Sequence, residues 1–274
     1  MKPIFKYSGG KTRELKRINE IISEVQFDRV VEPFMGGGAF SFNQEKPALV
    51  SDIRANNMDV YRAVKDEVQF KLLLEQVEEL KLVTDIKELE KHFYYWRDDK
   101  YQNCNALWEK AMRWIVIRQL CFSGMDRVNS KTGKFNVPFG WYKKFTTKLS
   151  IKHHELLQTW EIKECSFEKS IADSNENDFI FIDPPYLERN SDYGDNVHSL
   201  KLHEELLESL ENVKSKWLLI HTRHPFYEKN YKKFNTLTKD FQYASQWKGR
   251  EQKDRKVEHL YITNFDICEP KIKP

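Results

Sequence analysis

The chain has 274 residues, of which 40% are hydrophobic, so it can bury a sizeable core in one large domain or in a core that carries an insertion. Its 45 Lys and Arg residues nearly balance 42 Asp and Glu residues, which excludes a polybasic tail but not a basic groove. No apolar run approaches the roughly 20 residues that cross a bilayer, and no targeting peptide precedes the first motif. We therefore expect a soluble, cytoplasmic protein without a membrane partner.

The first 56 residues have the pattern of an α/β sheet. Short apolar strands are predicted at 29–32 and 48–51, with a glycine turn at 36–38 and a helix between them. Glycines let a nucleoside approach the backbone amides closely. An acid directly after a strand, here Asp52, suits ribose hydroxyls, with Ile53 against adenine. An ordinary turn residue is the less favoured alternative for Asp52.

The pattern changes after residue 56 to long charged helices. Residues 68–82 and 106–120 carry apolar side chains at spacings of three and four, which predicts amphipathic helices. Residues 121–147 combine turn formers, basic residues and aromatics, and 129–133 predict a hairpin turn. We interpret 57–159 as an inserted, mainly helical module that bears a basic β-hairpin.

Strand character returns in the second half of the chain. Strands are predicted at 179–182, 217–220 and 259–262, with an amphipathic helix at 200–213. The predicted organisation is a discontinuous α/β domain formed by residues 1–56 and 160–268, interrupted by residues 57–159, with a loose tail after Cys268.

Cysteine and histidine patterns give no sign of a metal site. Four separated cysteines without a CxxC pair predict reduced intracellular thiols: Cys104, Cys121, Cys165 and Cys268. For the histidines we expect capping or surface roles: His153, His154, His221 and His224.

The segment Asp183-Pro184-Pro185-Tyr186 follows a predicted buried strand. Two prolines stiffen the backbone and withhold two amide donors. The exocyclic amine of adenine is a poor nucleophile because its lone pair is conjugated with the ring. Asp183 and the Pro184 carbonyl could each accept one N–H and favour a pyramidal nitrogen, while Tyr186 could stack on an extruded base. An Asp cap with a Pro-rich turn explains this segment equally well on its own.

Five motifs in chain order favour the first interpretation: KYSGGK at 6–11, VVEPFMGGGAF at 30–40, SDI at 51–53, FNVPFG at 135–140 and FIDPPY at 181–186. Together they resemble the adenine-specific DNA methyltransferases of the Dam and EcoRV-methylase type, the D12 class, group alpha, over about residues 5 to 265. This resemblance implies a Rossmann-like class I methyltransferase sheet with an inserted target-recognition domain. It also implies S-adenosylmethionine as cofactor and methyl transfer to N6 of a flipped adenine in double-stranded DNA.

The resemblance assigns residues to the cofactor and to catalysis by motif position. The implied cofactor-binding residues are Tyr7, Lys11, Glu32, Phe34, Gly36, Gly38, Asp52, Ile53, Phe167 and Asp183. The implied catalytic residues are Asp183, Pro184 and Tyr186. Tyr7 stands where Trp is frequent in the family, and we expect no consequence from this difference.

The resemblance also assigns a surface that contacts DNA, formed by Lys6, Phe122, Met125, Arg127, Tyr142 and Lys143. Met125 is implied as the intercalating residue, and Arg127 as the residue that recognises a guanine. Phe122 matches a position that stacks on the base left unpaired, and Lys6 and Tyr142 match positions that contact the first guanine. Hairpin packing of Met125 and a solvated basic face are the simpler alternatives. Asp126, an acid inside this hairpin, departs from the family and puts the target sequence in doubt.

The leading hypothesis is a site-specific adenine methyltransferase, with GATC as the first guess for its site. We expect a monomer in solution. A restriction endonuclease that acts on the same site is one candidate partner, and an enzyme that acts alone or comes from a virus stays open as an alternative. Methylation of cytosine N4, of RNA or of protein glutamine stays open as an alternative, although Asp at position 183 argues against the cytosine and glutamine versions. A DNA-binding regulator that kept the fold without activity is the alternative from another class.

Overall fold

The computed structural model describes residues 1–100, 103–187, 200–242 and 256–267, so the predicted tail and Cys268 lie outside the described residues. Its sheet has seven strands within these ranges: β1 (Arg29–Glu32), β2 (Ala48–Ser51), β3 (Trp160–Lys163), β4 (Asp178–Ile182), β5 (Lys216–Thr222), β6 (Asn235–Gln242) and β7 (Lys256–Thr263). The strand order is β3-β2-β1-β4-β5-β7-β6. Strands β1 to β5 are parallel, and β7 runs antiparallel to both of its neighbours. This arrangement confirms the mixed α/β class and is consistent with a class I methyltransferase sheet.

Ten α-helices lie in the same part of the chain: α1 (Leu15–Ile21), α2 (Ala39–Gln44), α3 (Ala55–Lys65), α4 (Glu67–Lys81), α5 (Ile86–Tyr94), α6 (Leu107–Leu120), α7 (Ile151–Leu157), α8 (Phe167–Ala172), α9 (Leu200–Glu211) and α10 (Pro225–Asn230). Helix α4 begins where the Asp66 carboxylate accepts the Gln69 N–H at 2.9 Å, an N-cap that satisfies one of the free amides of the first turn. Within the described ranges no helix combines the length and the apolarity needed to cross a membrane.

Helices cover both faces of the sheet, which explains why the inner positions of its central strands are apolar on both faces. On one face Val30 and Phe179 pack in a single hydrophobic cluster with side chains from α1 to α7. On the other face Val31 and Ile180 pack with α8, α9 and α10. The alternation of neighbouring residues between two cores is the strand period of two, and it fixes the register of β1 against β4.

The predicted helical segment lies between β2 and β3 and holds α3 to α7. Its buried residues, such as Met58 of α3 and Ile115 of α6, belong to the same cluster as the strands. In the described residues this segment therefore shares its hydrophobic core with the sheet. That residues 57–159 form a DNA target-recognition domain remains a prediction.

Two strands are not predicted from the sequence, and they are the two edge strands of the sheet, β3 and β6. Strand β3 has only four residues, of which only Trp160 is fully buried. Strand β6 reads NTLTKDFQ, with polar residues at most positions. Edge strands pack on fewer neighbours, so they do not need the apolar run from which the five other strands were predicted.

Candidate active site and DNA-contacting surface

Asp183 lies directly beyond β4, at the carboxyl edge of the parallel strands, where open α/β sheets bind their ligands. Its Oδ2 accepts a hydrogen bond from Lys11 Nζ at 2.5 Å, and Lys11 Nζ also donates to the Gly9 carbonyl at 3.0 Å. The side chain of Lys11 is 4% exposed and that of Asp183 19% exposed. Burial raises the pKa of Asp183 above its usual value, and the Lys11 ammonium opposes this shift. The ion pair of Lys11 with Asp183 therefore connects the KYSGGK motif at 6–11 with the FIDPPY motif at 181–186.

Tyr186 is held by neighbouring histidine rings from β5 and β7. Its ring centroid lies 4.8 Å from that of His221 and 5.6 Å from that of His259, and Lys11 Nζ lies 5.0 Å from it. The His221 Nε2 accepts the Leu187 N–H at 3.0 Å, while its Nδ1 lies 2.6 Å from the Thr222 carbonyl. Burial lowers the pKa of His221 to about 2. A neutral His221 with its proton on Nδ1 therefore fixes the backbone just after Tyr186.

A second buried cluster holds the N-terminal segment in place. Glu14 Oε2 accepts a hydrogen bond from the Tyr261 hydroxyl at 2.5 Å and lies 2.8 Å from His259 Nδ1. Burial favours a higher pKa for Glu14, but the hydrogen bond with His259 and the Lys11 charge outweigh it, and the net pKa is lowered. Because Glu14 follows Lys11 by three residues, strand β7 positions the lysine that contacts Asp183.

The glycine turn after β1 lies directly under Tyr7. A Cβ added at Gly36 would lie 2.5 Å from Tyr7 Cε1, and one added at Gly37 would lie 2.7 Å from Tyr7 Cβ. The φ angle of Gly36 is +48°, in the left-handed region that favours glycine. The Tyr61 hydroxyl donates to the Gly36 carbonyl at 2.8 Å and holds the turn from the other side.

Replacing Gly36 with Ala should destabilise the fold by about 1–3 kcal/mol, because the backbone is strained for an L side chain and the new methyl group meets Tyr7. Gly133→Ala is the matched control, since Gly133 has φ +65° and nothing within 4 Å of an added Cβ. Urea unfolding measures both losses. Equal losses at the two positions would contradict a tight contact between Tyr7 and the turn.

Asp52 follows β2 and is 8% exposed. Its Oδ2 accepts the Gly36 N–H at 2.9 Å and Asn57 Nδ2 at 3.0 Å, and its Oδ1 accepts the Arg54 N–H at 2.9 Å. Burial raises the pKa of Asp52, and these three hydrogen bonds oppose the shift. The Trp114 indole donates to Asn57 Oδ1 at 2.9 Å, so helix α6 supports the carboxylate through Asn57. The structure thus brings Asp52 and the glycine turn together, as the strand order requires.

The remaining predicted cofactor residues differ in burial: Glu32, Gly38 and Phe167 are buried, Phe34 is half-buried and Ile53 is exposed. Glu32 is 3% exposed, burial raises its pKa to about 8, and its Oε2 accepts the Ser41 N–H at 3.0 Å. The rings of Phe34 and Phe167 stack with centroids 5.2 Å apart, and Ile53 leaves 59% of its surface exposed. Glu32 therefore acts inside the fold, whereas Ile53 presents an apolar surface beside Asp52. Gly38, with φ +66°, packs against Met35 and Phe42 as the residue before α2.

The predicted hairpin forms, although only isolated bridges connect its arms. Val128 bridges Phe135, and the Asn129 N–H donates to the Lys134 carbonyl at 2.8 Å. Arg127 is exposed, and its Nε donates to Asn136 Oδ1 at 2.8 Å across the hairpin. A hydrogen bond from the opposite arm thus restrains the guanidinium at the surface.

The other predicted DNA contacts lie beside this hairpin. Lys6 Nζ lies 4.0 Å from the Tyr142 ring centroid and donates to the Gln119 carbonyl at 3.0 Å. Burial lowers the pKa of Lys6. Phe122 is 44% exposed, and Lys143 is exposed. Met125 is half-buried and packs against the core, and its insertion into DNA remains a prediction.

Four histidines were expected at caps or at the surface, and the structure separates them. His224 caps α10 by accepting the Phe226 N–H at 3.2 Å, which confirms the capping role. The surface role is wrong for His153 and His221, which are 2% and 0% exposed. His154 is half-buried, with Nδ1 2.8 Å from the Val64 carbonyl. In the part of the chain that the structure describes, no group of His, Cys, Asp or Glu could hold a metal ion, and Cys104, Cys121 and Cys165 are free thiols.

Sequence reasoning missed the residues that position the motif side chains. Asn57 and His221 left a usable signal, since Asn57 follows Asp52 by five residues and His221 lies at the carboxyl end of a predicted parallel strand. Glu14 and His259 left none, because 245 residues separate them.

The chain is similar to known proteins over almost its whole length. A family model of the D12 class N6 adenine-specific DNA methyltransferases matches residues 7–252. The type II methyltransferase M.CviBI of Paramecium bursaria Chlorella virus NC1A is 30% identical over 97% of this chain and 100% of its own length. M1.LlaDCHI of Lactococcus lactis subsp. cremoris is 30% identical over 97% of this chain and 96% of its own. The DNA adenine methylase of Salmonella typhi is 25% identical over 77% of this chain and 76% of its own. The chain therefore belongs to the D12 class N6 adenine-specific DNA methyltransferases, and its activity is site-specific methylation of adenine in DNA.

Proposed function

We propose that S-adenosylmethionine is the methyl donor and that the carboxyl edge of β1, β2 and β4 binds it. The side chains at this edge fit a nucleoside, because Asp52 offers a carboxylate for ribose hydroxyls and the exposed Ile53 offers an apolar surface for adenine. The Phe34 and Phe167 rings stack on the α8 side of the sheet and add apolar surface beside this edge. The ring of Tyr7 covers the glycine turn, so this ring is the surface that the donor meets there.

Lys11 has a different task in this proposal from the one implied by the resemblance alone. Its ammonium is buried and donates to Asp183, so its charge already has a carboxylate partner within this chain. We assign Lys11 the role of orienting the Asp183 carboxylate. Glu14 and strand β7 hold the segment that carries Lys11 in place for this role. Contact with the donor itself is assigned to Tyr7, whereas Glu32 and Gly38 support the turn from inside the fold.

Asp183 and Pro184 orient the amine that is methylated. The Oδ2 atom of Asp183 is held by Lys11, so Oδ1 accepts one N6–H and the Pro184 carbonyl accepts the other. Two acceptors on one side of the nitrogen favour a pyramidal geometry with the lone pair on the opposite side. The bound donor supplies an electrophilic methyl group at that position. The donor would carry this methyl group on its sulfur, and the Asp183 carboxylate would take the proton that N6 loses as the group moves from sulfur to nitrogen.

Base flipping brings the adenine to this edge, and Tyr186 stacks on it. The rings of His221 and His259 keep the Tyr186 ring in position before the base arrives, which lowers the entropy cost of binding. Residues 57–159 form the recognition domain in this proposal. Its hairpin inserts Met125 and places Arg127 on a guanine, and Lys6, Phe122, Tyr142 and Lys143 line the same surface.

The observation that carries this proposal is the buried pair of Lys11 and Asp183 at the end of β4, next to Tyr186. The test is to incubate the purified chain with S-adenosylmethionine and plasmid DNA and then to sequence the modified bases. We expect N6-methyladenine at one short sequence, with a guanine just before the adenine and GATC as the first candidate. N4-methylcytosine, or no methylation in the presence of S-adenosylmethionine, would refute the proposal.

A restriction endonuclease with the same recognition sequence is the proposed partner in the cell. Two of the relatives are named type II methyltransferases, which fits this context. Size-exclusion chromatography of the free enzyme is expected to give a monomer.

A further inference from the structure

The acid that departs from the family pattern is buried. Asp126 lies inside the hairpin sequence but is only 3% exposed, so it does not face the solvent side on which DNA would lie. It forms an ion pair with the Arg54 guanidinium and lies 3.5 Å from the Arg118 guanidinium. Asp126 therefore contacts two arginines of the protein itself, one from the start of α3 and one from the end of α6.

Arg118 connects Asp126 to the segments that carry the proposed DNA contacts. Its side chain is completely buried, and it donates to three backbone carbonyls: Lys6 at 3.1 Å, Gly124 at 3.2 Å and Met125 at 3.1 Å. The guanidinium thus holds both the hairpin and the N-terminal segment. Because a buried charge without a partner is costly, the position of Arg118 depends on Asp126.

Arg54 connects Asp126 to the proposed donor site. The Arg54 backbone N–H donates to Asp52 Oδ1 at 2.9 Å, so the backbone of this residue is fixed by the same carboxylate that we assign to the ribose. Its side chain reaches Asp126, 72 residues further along the chain. A continuous path of hydrogen bonds and ion pairs therefore runs from Asp52 through Arg54, Asp126 and Arg118 to the hairpin.

We propose that Asp126 is a positioning residue that couples the methyl-donor site to the DNA-contacting hairpin. Donor binding at Asp52 fixes Arg54, which fixes Asp126 and the hairpin backbone at Met125, so the donor raises the affinity for DNA. By linkage, DNA raises the affinity for the donor by the same factor. This inference rests on the proposed function, since it takes the donor site at Asp52 and the hairpin contact with DNA from there.

The coupling is measured with S-adenosylhomocysteine, the demethylated product, which binds without reacting. Its Kd is determined by calorimetry with and without a duplex that carries the methylated site, and the ratio of the two values is the coupling factor. We expect a factor of at least about 5 for the unaltered enzyme, the lower end of typical allosteric couplings. Asp126→Asn should bring the factor close to one. Arg54→Lys, which keeps the charge, should retain part of it.

Three further variants and thermal melting make the result specific. Asp59→Asn removes an acid that pairs with Arg62 within helix α3, and this variant should leave the coupling factor unchanged. Thermal melting shows whether Asp126→Asn is folded, and Arg54→Gln serves as a milder second variant because the Arg54 side chain is 27% exposed. If Arg54 and Asp126 act as one unit, the double variant Arg54→Gln, Asp126→Asn should have the same coupling factor as Asp126→Asn alone.

A coupling factor near one in the unaltered enzyme, or one that Asp126→Asn and Arg54→Gln leave unchanged, would overturn the inference alone. Asp52→Asn separates this failure from failure of the proposed function. If the Asp52 variant binds S-adenosylhomocysteine as tightly as the unaltered enzyme, the donor site is wrongly placed, and both proposals fall. If it loses binding while the Asp126 variants keep the coupling, only the inference falls.

Discussion

Replacing Asp183 with Ala should lower the rate of methyl transfer by about 100-fold to 1,000-fold, the usual effect of removing one preorganised polar group from a reacting centre. In the proposed function the carboxylate orients the amine and takes its proton, and the alanine methyl group does neither. Binding of donor and DNA should survive in reduced form, because other residues make those contacts. Single-turnover methylation with radiolabelled S-adenosylmethionine separates the chemical step from binding.

The Asp183 variant needs a control for folding, because Lys11 would lose its carboxylate partner in a buried position. Thermal melting of Asp183→Ala beside the double variant Lys11→Met, Asp183→Ala shows how much stability that unpaired charge costs. Asp173→Ala removes an exposed carboxylate that pairs with Lys163 and should leave turnover unchanged. A single-turnover rate of Asp183→Ala within a few-fold of the unaltered enzyme would rule out the proposed mechanism.

Replacing Arg127 with Ala should relax the choice of base by about 1–3 kcal/mol, a factor of about 5 to 150, at one position of the recognition sequence. Arg127 is exposed and Asn136 restrains it, so the guanidinium is already oriented in the absence of DNA. Its loss should leave the stability of the fold unchanged, because it supports no buried group. Methylation rates on duplexes with each base of the site replaced in turn give the discrimination directly.

Lys131→Ala is the matched control for Arg127, since Lys131 is an exposed basic residue at the tip of the same hairpin. A lysine that contacts only phosphate should change the rate equally on all duplexes and alter the salt dependence of binding. If Arg127→Ala also changes all duplexes equally, the guanidinium contacts the backbone of DNA and the recognising residue lies elsewhere.

The sequence was sufficient to predict those strands and site residues whose pattern lies within one short segment of the chain. Strands β1 and β2 were predicted at their observed bounds, because both faces are buried and every residue is apolar or ends the strand. The edge strands β3 and β6 were missed because they bury fewer residues. In the same way the motifs located Asp52 and Asp183, since an acid after a buried strand is a local pattern. Their partners come from distant segments, and no local pattern identifies them.

Asp126 shows the limit of a comparison by motif position. As an acid in a hairpin expected to contact DNA, it suggested a changed recognition sequence. The structure places it inside the protein, between Arg54 and Arg118, and so removes the reason for that doubt. Only the tertiary fold could reveal this, because Arg54 lies 72 residues away.

The cluster of Glu14 with His259 and Tyr261 affects the order in which parts of the enzyme fold. Contacts across 245 and 247 residues form late, because the chain between them must be ordered first. Until β7 has been synthesised and inserted between β5 and β6, nothing in this cluster anchors the segment that carries Tyr7 and Lys11. Methylation should therefore begin only after β7 has joined the sheet.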